Sequence, residues 1–303
     1  MSKNKKEVQD INRKATGEKA KGRSQGAEVW YRMRKNKGAM VGLVVVVLLI
    51  LLAVFSDVIF DYSKQIAGIN TKARLLPPSW EHPFGTDGKG RDLFVRVLYG
   101  TKYSLTIGVV ATLISTLIAV PIGALAGYYG GFFENVVMRI MDMLSAVPFI
   151  LMGIVVVSAL GANMMNLIIA LGIVGIPKIC RMTRAAVLTV KNQEYIESAR
   201  IIGLKERDII IKHVLPNCLS PIIVSITLQV ATVIISASSL SFLGLGVPAP
   251  SPEWGALLSA GRDELRQHAN LTLFPGLAIM ITVLALNLMG DGLRDAMDPK
   301  LRK

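Results

Sequence analysis

Charged residues cut this chain into alternating blocks, and the distances between them serve as a ruler. Uncharged stretches cover residues 38–56, 103–133, 143–177, 213–252 and 267–290. A helix needs about 20 apolar residues to cross a hydrocarbon layer of roughly 30 Å, where only a helix or a closed barrel can satisfy its own backbone. Four of the stretches hold one span each. The stretch from Met143 to Pro177 is too long for a single helix and carries the breaker Gly161-Ala162-Asn163 at its centre, which predicts two spans. Those two borrow residues beyond the flanking charges. Arg139 and Asp142 then fall in the first turn of the third span, three positions apart, where they are expected to pair.

The basic residues choose between five spans and six. Lysine and arginine number 12 in residues 1–37, 8 in 178–212 and 4 in 294–303, against 6 in 61–101 and 2 in 246–270. Positive charge accumulates on the cytosolic face of membrane proteins, and only the six-span arrangement brings all three large blocks to one side. The expectation is an all-α membrane protein with six transmembrane helices and both termini cytosolic. The first span is 38–60, and the other five, within a transmembrane domain at 102–293, lie near 103–129, 136–160, 164–188, 217–243 and 270–292. An extracytoplasmic loop covers 61–101 and a cytoplasmic loop 191–216, with tails at 1–37 and 294–303. Pro121, Pro148 and Pro275 predict kinks, while Gly123, Gly127 and Gly131 predict close helix approach.

Composition agrees with a bilayer. The chain of 303 residues is 52% hydrophobic and only 18% charged, with a mean hydropathy of +0.49. The net charge of +13 lies in blocks between long apolar stretches, the membrane-orientation pattern, and does not point to nucleic acid. Residues 1–37 have too few large apolar side chains for a packed core; they read as a mobile tail ending in a surface helix around Trp30 to Lys37. The two cysteines, Cys180 and Cys218, fall in or beside a basic cytosolic segment and are expected as reduced thiols. His82, His213 and His268 share no motif, so neither a metal site nor a cofactor is expected. No nucleophile elbow or nucleotide fingerprint occurs; Gly88-Lys89 lacks the spacing that wraps phosphates. The chain is read as a non-enzyme.

One cytosolic segment is too charged to cross a bilayer. It runs Tyr195-Ile196-Glu197-Ser198-Ala199-Arg200-Ile201-Ile202-Gly203, then Ile209 to Ile211, then Val214-Leu215-Pro216-Asn217. Gly203 permits a sharp bend between two short helices, Ser198 and Ala199 are small enough for a partner to approach, and Pro216 suits the start of the next span. Taken alone this is either an interfacial amphipathic loop or a rigid elbow offered to a partner. Elsewhere, His82 to Asp92 reads as a glycine-rich turn capped by Asp87 and Asp92. Trp254 reads as an interfacial anchor, and Arg294 as the partner of the acids around it.

The run Glu197-Ser198-Ala199, Gly203 and Leu215-Pro216 resembles the EAA loop of ABC importer permeases. Ser198 replaces the second alanine of that pattern, and His213 stands where a hydrophobic residue is usual. His82-Pro83-Phe84-Gly85-Thr86-Asp87-Gly88-Lys89-Gly90-Arg91-Asp92 resembles the DppC/OppC subfamily of dipeptide and oligopeptide permeases. So do Ser241 to Pro248 with Pro252-Glu253-Trp254-Gly255, and Asn287 to Asp295 with Asp298-Pro299.

The resemblance implies a type I importer, or MetI-like, permease fold in a prokaryotic plasma membrane. It implies a second, homologous permease, two cytoplasmic ATP-binding subunits and an extracytoplasmic solute-binding protein as partners. It further implies that Glu197, Ser198, Ala199, Gly203, Leu215 and Pro216 couple the chain to the ATPases. The residues lining the solute path are not named by the sequence; Asn166, Gln229 and Asn287 are polar candidates, with packing hydrogen bonds the commoner account of such residues. Nickel or another small solute is the alternative cargo; a self-contained channel, a carrier and a membrane scaffold are alternative roles.

Overall fold

The computed structural model describes residues 25–297. Almost all of them are helical. Helix α1 spans Gln25–Lys35 and α2 spans Lys37–Ile59. Between them Asn36 takes an extended conformation, and its side chain accepts from the Ala39 amide at 3.1 Å, so one residue ends α1 and caps α2. Helix α1 begins before the Trp30 start read from the sequence. The reading of residues 1–24 as mobile lies outside the described residues.

Among the described residues, five helices are long and apolar enough to cross a membrane unbroken. They are α2, α3 (Leu93–Tyr129), α6 (Met164–Val190), α8 (Leu215–Phe242, with a helical lead-in from Glu206) and α10 (Asn270–Met297). The third of the six expected spans, near 136–160, is broken. Residues 131–160 form α4 (Gly131–Ala146) and α5 (Phe149–Leu160), which meet at 86°. At about 1.5 Å per residue α4 reaches about 24 Å and α5 about 18 Å, and neither matches the hydrocarbon thickness alone. The cause is Pro148. A proline forces the residue before it out of the helical region, and Val147 sits at φ −84°, ψ 127° with Pro148 itself at ψ 133°.

The described chain has two ends. One holds α1, the α3–α4 turn, the short helix α7 (Glu194–Ile201) and the last turn of α10; the other holds the 60–92 loop, the α5–α6 turn and α9 (Trp254–Gly261). Small residues let the helices close up. A Cβ on Gly123 would stand 2.5 Å from the Cys180 carbonyl, and one on Gly127 2.9 Å from that of Arg184, so α3 and α6 lie nearly backbone to backbone. Gly131, grouped with them by sequence, has nothing near it. It sits at φ +62° beside Gly130 at +69°, making the reversal between α3 and α4.

The loop end is a folded plug. Asp87 accepts from the Lys89 and Arg91 amides at 2.8 and 3.0 Å and from Arg91 Nε at 2.6 Å, while Asp92 caps α3 through the Val95 amide. Buried Arg96 donates to the carbonyls of Ile66 and Pro250, tying the 60–92 loop to the segment before α9. Trp254 corrects the reading of an interfacial anchor. It is 1% exposed, donates its indole N–H to the Val97 carbonyl at 2.9 Å, and lies over Gly100, where any side chain would collide with the Pro252 carbonyl. A buried tryptophan requires such a partner for its N–H.

Candidate coupling site

Helix α7 starts after a tight turn and lasts two turns. Ile202 donates to the Ser198 carbonyl at 3.1 Å and Leu204 to that of Ala199 at 3.2 Å, with Gly203 between them at φ +80°. This is the left-handed helix stop that glycine adopts without a Cβ penalty. Chain direction then reverses into a helical lead-in at 206–214. In its wide last turn the Leu215 amide reaches back five residues to Ile210, and α8 follows with Pro216 in its first turn.

The elbow rests on its own bundle. Ile196, Ala199, Ile209, Ile210 and Val214 are buried against Tyr128, Val187 and Ile222. The Tyr128 hydroxyl donates to Glu206, and the Arg200 guanidinium lies 5.3 Å from the centre of the Tyr128 ring. The Tyr128 hydroxyl also raises the Arg200 pKa, and burial raises that of Tyr195. Lys191 donates to the Gly127 carbonyl at 2.8 Å and closes the end of α3.

The six residues singled out by sequence separate on this scaffold. Glu197, Ser198 and Gly203 face outward, Pro216 is exposed at the start of α8, Leu215 is half-buried and Ala199 is buried. The small Ala199 therefore admits the elbow to its own bundle. Ser198 is exposed, with its hydroxyl turned back to the Glu194 carbonyl at 2.9 Å. Sequence reasoning passed over the tip itself: Ile201 and Ile202 are 85% and 74% exposed. Two large aliphatic residues beside a glycine in a charged loop were the available signal. The bracing pair Tyr128–Glu206 spans 78 positions and left none.

Three polar candidates for the path also find their places. Asn166 donates to the Leu160 and Gly161 carbonyls at 2.6 and 2.9 Å and caps the end of α5. Gln229 is 2% exposed and packs inside the bundle beside Gly175 and Ser115. Asn287 is half-buried on α10. The expected Arg139–Asp142 pair is absent among the described residues; Asp142 instead meets Arg181, which the packing of α6 beside α4 brings within 3.2 Å, and Arg139 stays exposed. Neither Asp291 nor Asp295 pairs with Arg294. Asp298-Pro299 lies outside the described residues. Cys180 and Cys218 are buried free thiols, and no cluster of three metal-ligating side chains occurs among the described residues.

Residues 119–303 match the family described as binding-protein-dependent transport system inner membrane component. The chain belongs to that family. Residues 24–78 match the N-terminal transmembrane domain of oligopeptide transport permease C. Among relatives of this permease, the dipeptide transport system permease protein DppC of Alkalihalophilus pseudofirmus is 42% identical over 275 residues, covering 91% of the chain and 90% of the relative. The glutathione transport system permease protein GsiD of Escherichia coli O157:H7 is 45% identical over 283 residues with the same coverage. The fold of the permease is that of a chain of the MetNI methionine ABC transporter in its inward-facing conformation. The TM-score is 0.57 at 19% identity, covering 67% of this chain and 96% of that one. It is a multi-pass membrane protein of the MetI type.

Proposed function

We propose that this permease forms half of the path of an ATP-driven importer for short peptides, and that the elbow receives the work of ATP hydrolysis. A second homologous permease would complete the path, two ATP-hydrolysing subunits would dock on the elbow end, and a solute-binding protein would deliver cargo to the loop end. The names of the dipeptide and glutathione relatives support the cargo class. The distribution of lysine and arginine supports a cytosolic elbow end. Neither a metal nor a cofactor, and no ATPase centre, is assigned to this chain.

One observation carries the reading. Ile201 and Ile202 stand exposed at the tip of a helix whose other face is fixed to α3, which is the arrangement of an anchor residue awaiting a pocket. The test replaces both with aspartate in the complete reconstituted transporter. Peptide-stimulated ATP hydrolysis should fall more than about tenfold, the loss typical of a removed hot spot. Membrane insertion should be unchanged, since neither side chain is buried. Unaltered stimulation in that variant, or in Gly203→Trp, overturns the assignment of the elbow.

A further inference from the structure

Helix α6 carries three cations in its second half, Lys178, Arg181 and Arg184, and two are spoken for. Arg181 pairs with Asp142 at 3.2 Å and Arg184 pairs with Glu134, both on α4. Lys178 has no carboxylate partner among the described residues. It points elsewhere: Lys178, Met182, Ala185 and Thr189 recur at i, i+4, i+7 and i+11, one face of the helix, and that face lines a cavity of about 670 Å³ between α6, α8 and α10. Arg294, at the elbow-end rim of the same cavity, is also unpaired among the described residues. The described lining contains no aspartate or glutamate and is otherwise mostly apolar, with Val224 and Leu228 among it.

Lys178 and Arg294 are both exposed on this mainly apolar cavity, so two cations without a carboxylate partner among the described residues stand open to any anion that enters it. We propose that Lys178, seconded by Arg294, is an anion-binding step for the terminal carboxylate of the transported solute, whose side chains lie against the apolar wall. The cavity exceeds the lower bound of about 300 Å³ for small-ligand pockets. Binding is by charge-assisted hydrogen bonds, with no covalent step. The inference rests on the peptide-import reading and names the end of the peptide that the permease itself engages.

The test compares uptake of one peptide with a free C-terminus and the same peptide amidated. It uses the complete transporter in proteoliposomes, with the same loaded binding protein throughout so that selection upstream cancels between variants. Wild type should favour the free carboxylate by about tenfold, the worth of one charge-assisted hydrogen bond. Lys178→Gln should erase that preference by slowing only the free-acid peptide, and Lys178→Arg should restore it. Equal preference in wild type and Lys178→Gln overturns the inference. So does slowing of both peptides alike in Lys178→Gln, which would make Lys178 structural. Failure of wild type to import either peptide with ATP defeats the peptide-import reading, and the carboxylate step falls with it.

Discussion

At the scale of single residues, the buried polar groups at the loop end are held by geometry that a conservative change disrupts. Glu253 is wholly buried. It accepts from the Gly255 and Ala256 amides, each at 2.9 Å, and from Ser104 at 3.3 Å. Glutamine keeps the shape but turns one acceptor into a donor facing an N–H. Glu253→Gln is therefore expected to cost about 1–3 kcal/mol. A fall of several degrees in the thermal unfolding midpoint would register it, and an unchanged midpoint would show that the cap contributes nothing. No sequence pattern marked Glu253 as a cap, because the Ser104 that completes the site lies 149 positions away.

At the scale of helices, periodicity and charge gaps made the helical membrane fold legible, and Gly161-Ala162-Asn163 marked the turn between α5 and α6. What they could not supply is direction. Hydropathy is blind to an 86° bend, since both limbs of a broken helix remain apolar. Nor does it tell which acid meets which cation: Asp142 and Arg181 are 39 positions apart. Asn166 shows the same limit in a polar residue, for its two bonds to the end of α5 are local yet leave no trace in composition. Asn166→Ala is expected to cost about 1 kcal/mol in stability, the usual worth of a helix cap. Transport KM should stay where it is. A raised KM with an unchanged midpoint would return Asn166 to the solute path.

At the scale of the whole molecule, the packing of α3 on α6 separates two glycines that sequence had grouped together. Gly123→Ala places a methyl group 2.5 Å from the Cys180 carbonyl oxygen, an overpacking that costs typically 1–3 kcal/mol or about more when backbone must move. Gly131→Ala meets open space and pays only for its left-handed backbone, about 1–2 kcal/mol. Unfolding midpoints of the two variants should rank in that order, and the reverse ranking would refute the close α3–α6 contact. The candidate coupling site divides along the same line. Its outward residues were readable as an exposed charged loop, whereas its footing on Tyr128 depends on where α3 ends in space.

Helix α3 has one further property. Its 37 residues extend about 55 Å, from Asp92 and Arg96 in the loop-end plug to Tyr128 beneath the elbow, and the one proline along it, Pro121, leaves it a single helix. Both faces of the protein therefore grip the same rod. If one partner, binding at one end, shifts that rod and so changes the affinity for another at the far end, thermodynamic reciprocity requires the second to change the affinity for the first by the same factor.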